Sequence, residues 1–229
     1  YGVAGLTVTA EDPNAMAPVV IDAVLGKFLK FVALTGVGPR ITVKGPALLP
    51  TTGGAIPAGG VSGATFSLWY RHLPNVVAGV DKHKVAGWNP LLLAGDDAGG
   101  DNWKYGIVLS AGVPIVVRSG QTELFNAKTL AVTSGTTTLS SAIDDGNWHH
   151  LALRLSRPGC TASSCPQPDL MLVALLVDGK EVQEVLATMA TASTKVFLGR
   201  MPMSAVPIDK TNYDSKNKRL NASGGIAQV

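Results

Sequence analysis

Charge is scarce in this chain: Asp, Glu, Lys and Arg make up 15% of its 229 residues, and the net charge is only +3. So small and scattered a basic excess does not make the positive stripe that nucleic-acid binding requires. Its one basic cluster, Lys210, Lys216, Lys218 and Arg219, reads as a solvated loop. Long apolar runs are also missing. None reaches the roughly 18 residues of a membrane span, so membrane insertion is not expected. Catalytic signatures are absent too. There is no Gly-x-Ser-x-Gly and no His-Glu-x-x-His, and Glu123, Glu181 and Glu184 each lack a well-placed second acid. An enzyme is therefore not expected. Cysteine is limited to Cys160 and Cys165, and no internal repeat is present.

Apolar residues, by contrast, account for 46% of the chain, enough for one sizeable core, and 26 glycines with 14 prolines favour strands and turns over long helices. One domain is expected. The most informative segment is Asp144-Asp145-Gly146-Asn147-Trp148-His149-His150-Leu151-Ala152-Leu153-Arg154-Leu155. A polar turn launches an alternating strand. Side chains of a strand point alternately to its two sides, so His149, Leu151, Leu153 and Leu155 share the core face, while Trp148, His150, Ala152 and Arg154 share the other. Some twenty residues later Leu175-Leu176-Val177 ends in Asp178-Gly179-Lys180, a dipeptide suited to the positive φ of a tight hairpin. By the same parity Phe66, Leu68 and Tyr70 are core residues, and Thr65, Ser67, Trp69 and Arg71 are not. The stretch 171–177 is apolar on both faces, as in a central strand covered on both sides. That second cover is expected from folded-over loops or from a partner.

The segment Trp148-His149-His150, its preceding Asp-Gly turn and the later Val-Asp-Gly-Lys resemble the laminin G-like modules of the concanavalin A-like lectin and glucanase superfamily. Further stretches resemble that family in the same order. They are Gly26–Val32 with Arg40–Val43, Thr65–Arg71, Leu91–Asp96 with Trp103–Leu109, Val196–Arg200 and Gly224–Val229. The resemblance implies an all-β fold, a two-sheet antiparallel jelly-roll β-sandwich over residues 21–229, preceded by an arm or edge strand at 1–20. It implies structural roles for Trp148, His149, His150, Asp178 and Gly179. Residues 44–64 are expected as a loop and residues 72–90 as a lobe at one end of the sandwich. The chain starts at Tyr1 and stops where the family's last strand begins. It is expected to be a processed product or a piece of something longer, with an incomplete last strand leaving an open sheet edge. Glucanases of the superfamily carry a Glu-x-Asp-x-Glu strand, which is absent here.

The resemblance implies binding of glycans or glycoproteins at the rim, often with one calcium ion held by oxygen ligands. Asp96, Asp97 and Asp101 offer such ligands, although the same loop also reads as a hairpin turn rich in Asp and Gly. Trp88, Trp103 and Asn102 are candidate ligand-binding residues because aromatic faces near loop tips stack on sugars. Cys160 and Cys165 flank a short Pro- and Gly-bent loop and read as a local disulfide, since zinc would need two further ligands. With the sequon at Asn221, they suggest an extracellular or cell-surface setting. The alternative to a recognition module is a structural subunit that self-associates into a larger extracellular assembly through sheet edges and the N-terminal arm.

Overall fold

The computed structural model describes residues 7–11, 19–23, 26–31, 40–44, 63–74, 76–81, 88–95, 103–110, 112–118, 142–159, 161, 163–166, 170–188, 195–199 and 224–227. The chain forms β1 (Thr7–Glu11), β2 (Val19–Asp22), β3 (Gly26–Phe31), β4 (Arg40–Lys44) and β5 (Gly63–Arg71). A short pair, β6 (Val76–Val77) and β7 (Val80–Asp81), precedes β8 (Trp88–Gly95), β9 (Trp103–Ser110) and β10 (Val113–Arg118). Then come β11 (Trp148–Ser156), β12 (Leu170–Val177), β13 (Lys180–Thr188), β14 (Lys195–Leu198) and β15 (Gly224–Ala227). No helix occurs among the described residues.

Two antiparallel sheets face one another. The first has the order β1-β4-β14-β8-β9-β10 and the second β13-β12-β11-β5-β15-β3-β2. Their facing side chains make one core, joining Leu68, Tyr70, Leu151, Leu153, Leu155 and Val173 from the second sheet to Leu92, Tyr105, Ile107, Val116 and Leu198 from the first. Each fully buried leucine contributes about 1.5–3 kcal/mol relative to exposure. The fold is thus the expected all-β, two-sheet antiparallel sandwich. The leucine row of β11 lies inside it, with Leu151, Leu153 and Leu155 fully buried.

Two tight hairpins follow from residues with positive φ at adjacent positions. Asp178 (φ 52°) and Gly179 (φ 76°) join β12 to β13, and Ala78 (φ 50°) and Gly79 (φ 76°) join β6 to β7. The twist of such turns matches that of the flanking strands. Proline falls where the ladder tolerates a missing N–H. Pro90 sits at a register shift of β8, and Pro114 lies on β10, an edge strand. Of the lobe expected over 72–90, Trp88 to Pro90 belong to β8 instead, and residues 82–87 lie outside the described residues.

Within the chain the two faces of 171–177 are covered unequally. Met171, Val173, Leu175 and Val177 are in the core, but on the opposite face Leu172 and Leu176 are only half-buried, while Ala174 is sealed. The seal is an arginine arm. Arg154 pairs with Ala174 in register on one side and Glu184 does so on the other, and Arg154 donates to Glu184 at 3.0 Å and to Glu181 at 2.6 Å. The ion pair therefore spans the alanine between them. Burial on the outward face occurs instead in the first sheet, where Leu93, Val108, Ile115 and Phe197 are all at most 2% exposed yet lie outside the main core cluster.

The open edge expected at the last strand is also corrected. β15 is interior, with Gly225 and Ile226 pairing with Arg71 and Tyr70 of β5 on one side and with Lys30 and Leu29 of β3 on the other. Among the described strands, the outermost are β1 and β10 in one sheet and β13 and β2 in the other. The boundary drawn at 20/21 falls inside β2, which starts directly after Pro18.

Candidate functional site

The segment 142–147, which leads into β11, closes one end of the sandwich. Ile143 inserts into the core, and its N–H donates to the Gly112 carbonyl in the β9–β10 turn at 2.9 Å. Three residues later the Gly146 carbonyl accepts from Arg71 Nε of β5 at 2.7 Å. The segment therefore ties the two sheets together. Gly146, at φ 85°, allows the chain to turn sharply into the strand.

His149 stands at this junction between two carboxylates. Its Nδ1 lies 2.8 Å from Asp178 Oδ2 and its Nε2 lies 3.0 Å from Asp145 Oδ1. Both acids are further engaged. Asp178 Oδ1 accepts from the His150 backbone N–H at 2.8 Å, and its own N–H donates to the His150 carbonyl. Asp145 accepts from the backbone N–H and the side-chain amide of Asn147, each at 2.8 Å. Those two Asn147 donors, followed by His149, hold the Asp145 carboxyl at about 2, well below its ordinary value. Burial pulls the His149 imidazole down, but its bonds to Asp178 and Asp145 outweigh burial and leave the value raised.

Because the carboxylates bond opposite edges of the ring, the three groups do not converge on a point where a cation would sit. Among the described residues no grouping of His, Cys, Asp and Glu is arranged to hold a metal ion. Nor does the imidazole present a nitrogen to a substrate, since each already faces an acid. The arrangement binds two turns to each other.

On the opposite face of the same strand, the His150 ring packs against Trp69, its partner in register on β5, with centroids 5.2 Å apart and planes tilted by 53°. Both side chains are partly exposed. Next to them β15 contributes Gly225 and Ala227, both buried, so the pair is covered on that side. This pair was missed by sequence reasoning, although parity had placed both residues off the core. Knowing that β5 and β11 pair, and in which register, was the missing piece.

The other candidates are dispersed. Trp88 opens β8 opposite Ser110, whereas Trp103 opens β9 opposite Gly95, so the two tryptophans stand at opposite ends of one hairpin. At about 3.3 Å per residue they are some 20 Å apart along the strands and cannot line one small sugar site together. Trp103 begins its strand directly after Asn102. Asp96, Asp97, Asp101 and Asn102 lie outside the described residues, as do Cys160 and Asn221. Among the described residues there is no free thiol. Arg157, buried at 4% exposure, donates from Nη2 to Cys165 Sγ at 3.1 Å.

No protein family matches the sequence, and no curated protein matches it. Solved structures do resemble the fold. The binding domain of botulinum neurotoxin DC, determined with rat synaptotagmin II, aligns with a TM-score of 0.48 and 10% identity over 84% of this chain and 38% of that one. The endo-β-1,4-glucuronan lyase of the fungus Trichoderma reesei gives 0.38 and 14%, covering 96% and 90% of the two chains. The carbohydrate recognition domain of Emp46p in its potassium-bound form gives 0.39 and 12%, covering 85% and 81%. The chain thus spans 38% of the neurotoxin binding domain. At such identities and TM-scores the likeness assigns no function.

Proposed function

We propose that the chain is a non-catalytic recognition module of laminin G-like form that binds glycans or glycoprotein surfaces outside the cell. The observation that carries this reading is the partly exposed Trp69–His150 pair on the outward face of the second sheet. Aromatic faces stack on sugar rings, and both rings of this pair are partly open to solvent. Catalysis is not part of the proposal, because the acid–base cluster among the described residues, Asp145–His149–Asp178, is closed on itself. The Cys160–Cys165 bridge, glycosylation at Asn221 and calcium at Asp96, Asp97 and Asp101 belong to the same proposal. Calcium would be held by those carboxylates and would stiffen the β8–β9 connection beside Trp103.

The test is a glycan array run with calcium and with a chelator, comparing the wild type with Trp69→Ala and Trp103→Ala. Binding lost in Trp69→Ala supports the sheet-face site, and binding lost only in Trp103→Ala or with chelator moves the site to the rim. Silence of the wild type across sulfated, acidic and neutral glycans overturns the reading.

One observation favours the second reading, a self-associating structural subunit. Leu186, at 47% exposure, is the exposed large apolar side chain among the described residues, and it lies on β13, outermost of the described strands of its sheet, opposite the half-buried Leu172. Long apolar edges invite pairing with another chain. Light scattering separates the two, since a monodisperse monomer at high concentration removes the assembly reading.

A further inference from the structure

Among the described residues, the Asp145–His149–Asp178 bridge links two turns that are distant in sequence. One is the 142–147 segment, which also holds the β9–β10 turn through Ile143 and β5 through Arg71. The other is the Asp178–Gly179 hairpin. The connection passes through a single imidazole with a carboxylate on each ring nitrogen, at 2.8 and 3.0 Å. A carboxylate only accepts hydrogen bonds. For both contacts to be hydrogen bonds, both nitrogens must therefore carry protons, which is the imidazolium state. The neutral ring keeps one proton and satisfies one acid; its other nitrogen then presents a lone pair to the second carboxylate.

We propose that His149 is an acid-engaged clasp, which fastens the 142–147 segment to the 178–179 hairpin when it is protonated and releases one of them as pH rises through the neutral range. Its side chain is 16% exposed, so protons reach it from solvent without unfolding. The described groups around it are consistent with this role. Asp144 and Asp145 lie on the preceding segment, Asp178 on the hairpin turn and Lys180 at the start of β13. From β5 come Arg71, bonded to the Gly146 carbonyl, and Tyr70, which pairs with His149 in register. Of these, the two acids in contact set the sign. The raised His149 value follows from the same two bonds. A group whose value is raised in the folded state adds stability that is complete below its unfolded value of 6.5 and disappears as pH climbs through the folded value. The clasp is thus tight in acidic compartments or at acidified surfaces and loose in alkaline surroundings.

The experiment follows the His149 ring by NMR titration in the intact chain, together with amide exchange at Asn147 and His150 near pH 5.5 and pH 8.5, corrected for intrinsic exchange. The expected ring midpoint lies above 6.5. Protection at the two amides should fall toward alkaline pH, by about tenfold for every pH unit that the folded midpoint exceeds the unfolded one. In His149→Gln, which bonds one acid at most in either state, protection should be low and independent of pH over that range. A wild-type midpoint at or below 6.5, or an unchanged pH dependence in His149→Gln, overturns the proposal. The titration alone decides it if the variant does not fold.

Discussion

Arg154 on β11 and Glu184 on β13 stand two strands apart, and their side chains meet at 3.0 Å over Ala174, which lies between them in register. A second contact, to Glu181 at 2.6 Å, anchors the same guanidinium. The aliphatic stem of the arginine covers apolar surface while its head stays in water.

Removing that arm should matter modestly. The three side chains are 35–42% exposed, so each ion pair is screened by solvent. Arg154→Ala should cost about 1 kcal/mol, more through lost cover of Ala174 than through charge. A double-mutant cycle with Glu184→Ala in urea should return a coupling of about 0.5 kcal/mol that shrinks in high salt. A coupling that is unaffected by salt would show that packing alone is at work.

Gly106 should be intolerant of even one methyl group. A Cβ there would meet Leu93 Cδ2 at 2.3 Å and the Leu92 carbonyl oxygen at 2.5 Å. Gly106→Ala is expected to destabilise by about 1–3 kcal/mol in chemical denaturation. Adding Leu93→Ala should not recover the loss, because the carbonyl clash remains and a buried leucine is lost as well.

The inward and outward leucines should respond oppositely to truncation. Leu153→Ala empties a site with no solvent exposure and should cost about 2–5 kcal/mol. Leu186→Thr, on β13, should change stability by no more than about 0.5 kcal/mol. If Leu186→Thr also abolishes any association seen by light scattering, the edge is the contact surface.

Acid stability should report Asp145. Its carboxyl is lowered from 3.8 to about 2, so its contribution is present above the ordinary value and is lost as pH falls toward 2. Replacement by Asn removes the charge that accepts from Asn147 and His149, and melting temperature against pH should then be flatter between about 4 and 2. An unchanged acid limb in Asp145→Asn would mean that other carboxylates dominate.

Backbone conformation gives a separate handle on the hairpin. Asp178 sits at φ 52°, a region that Asn tolerates and β-branched residues avoid. Asp178→Asn should therefore keep the β12–β13 turn while weakening the bond to His149, and Asp178→Val should weaken both. Circular dichroism melts with the ring titration of His149 distinguish the two effects.

Much of the second sheet was legible because its strands alternate cleanly. Leu151, Leu153 and Leu155 declare their inward face, and Asp178-Gly179 declares its turn. What eluded reading had physical causes. Val113–Arg118 is a strand, but Pro114 disguises it, since only an edge accepts a residue without an N–H. The apolar outward face of β12 suggested cover by loops or a partner, and alternation alone says nothing of how far Arg154 reaches over Ala174. Trp69 and His150 were each assigned to an outward face, yet their meeting depends on the register between two strands far apart in sequence. The separation of Trp88 and Trp103 likewise follows from antiparallel order, which places the first residues of paired strands at opposite ends.

The interior place of β15 bears on how the chain acquires its shape. Before Gly224–Ala227 emerge from the ribosome, β5 and β3 have no common neighbour, and the second sheet consists of a four-stranded and a two-stranded fragment. Vectorial synthesis therefore delivers this keystone after the other strands described, and closure joins Phe31 to Gly224. So long-range a pairing makes for slow maturation and a waiting period in which both flanks of the gap stand bare.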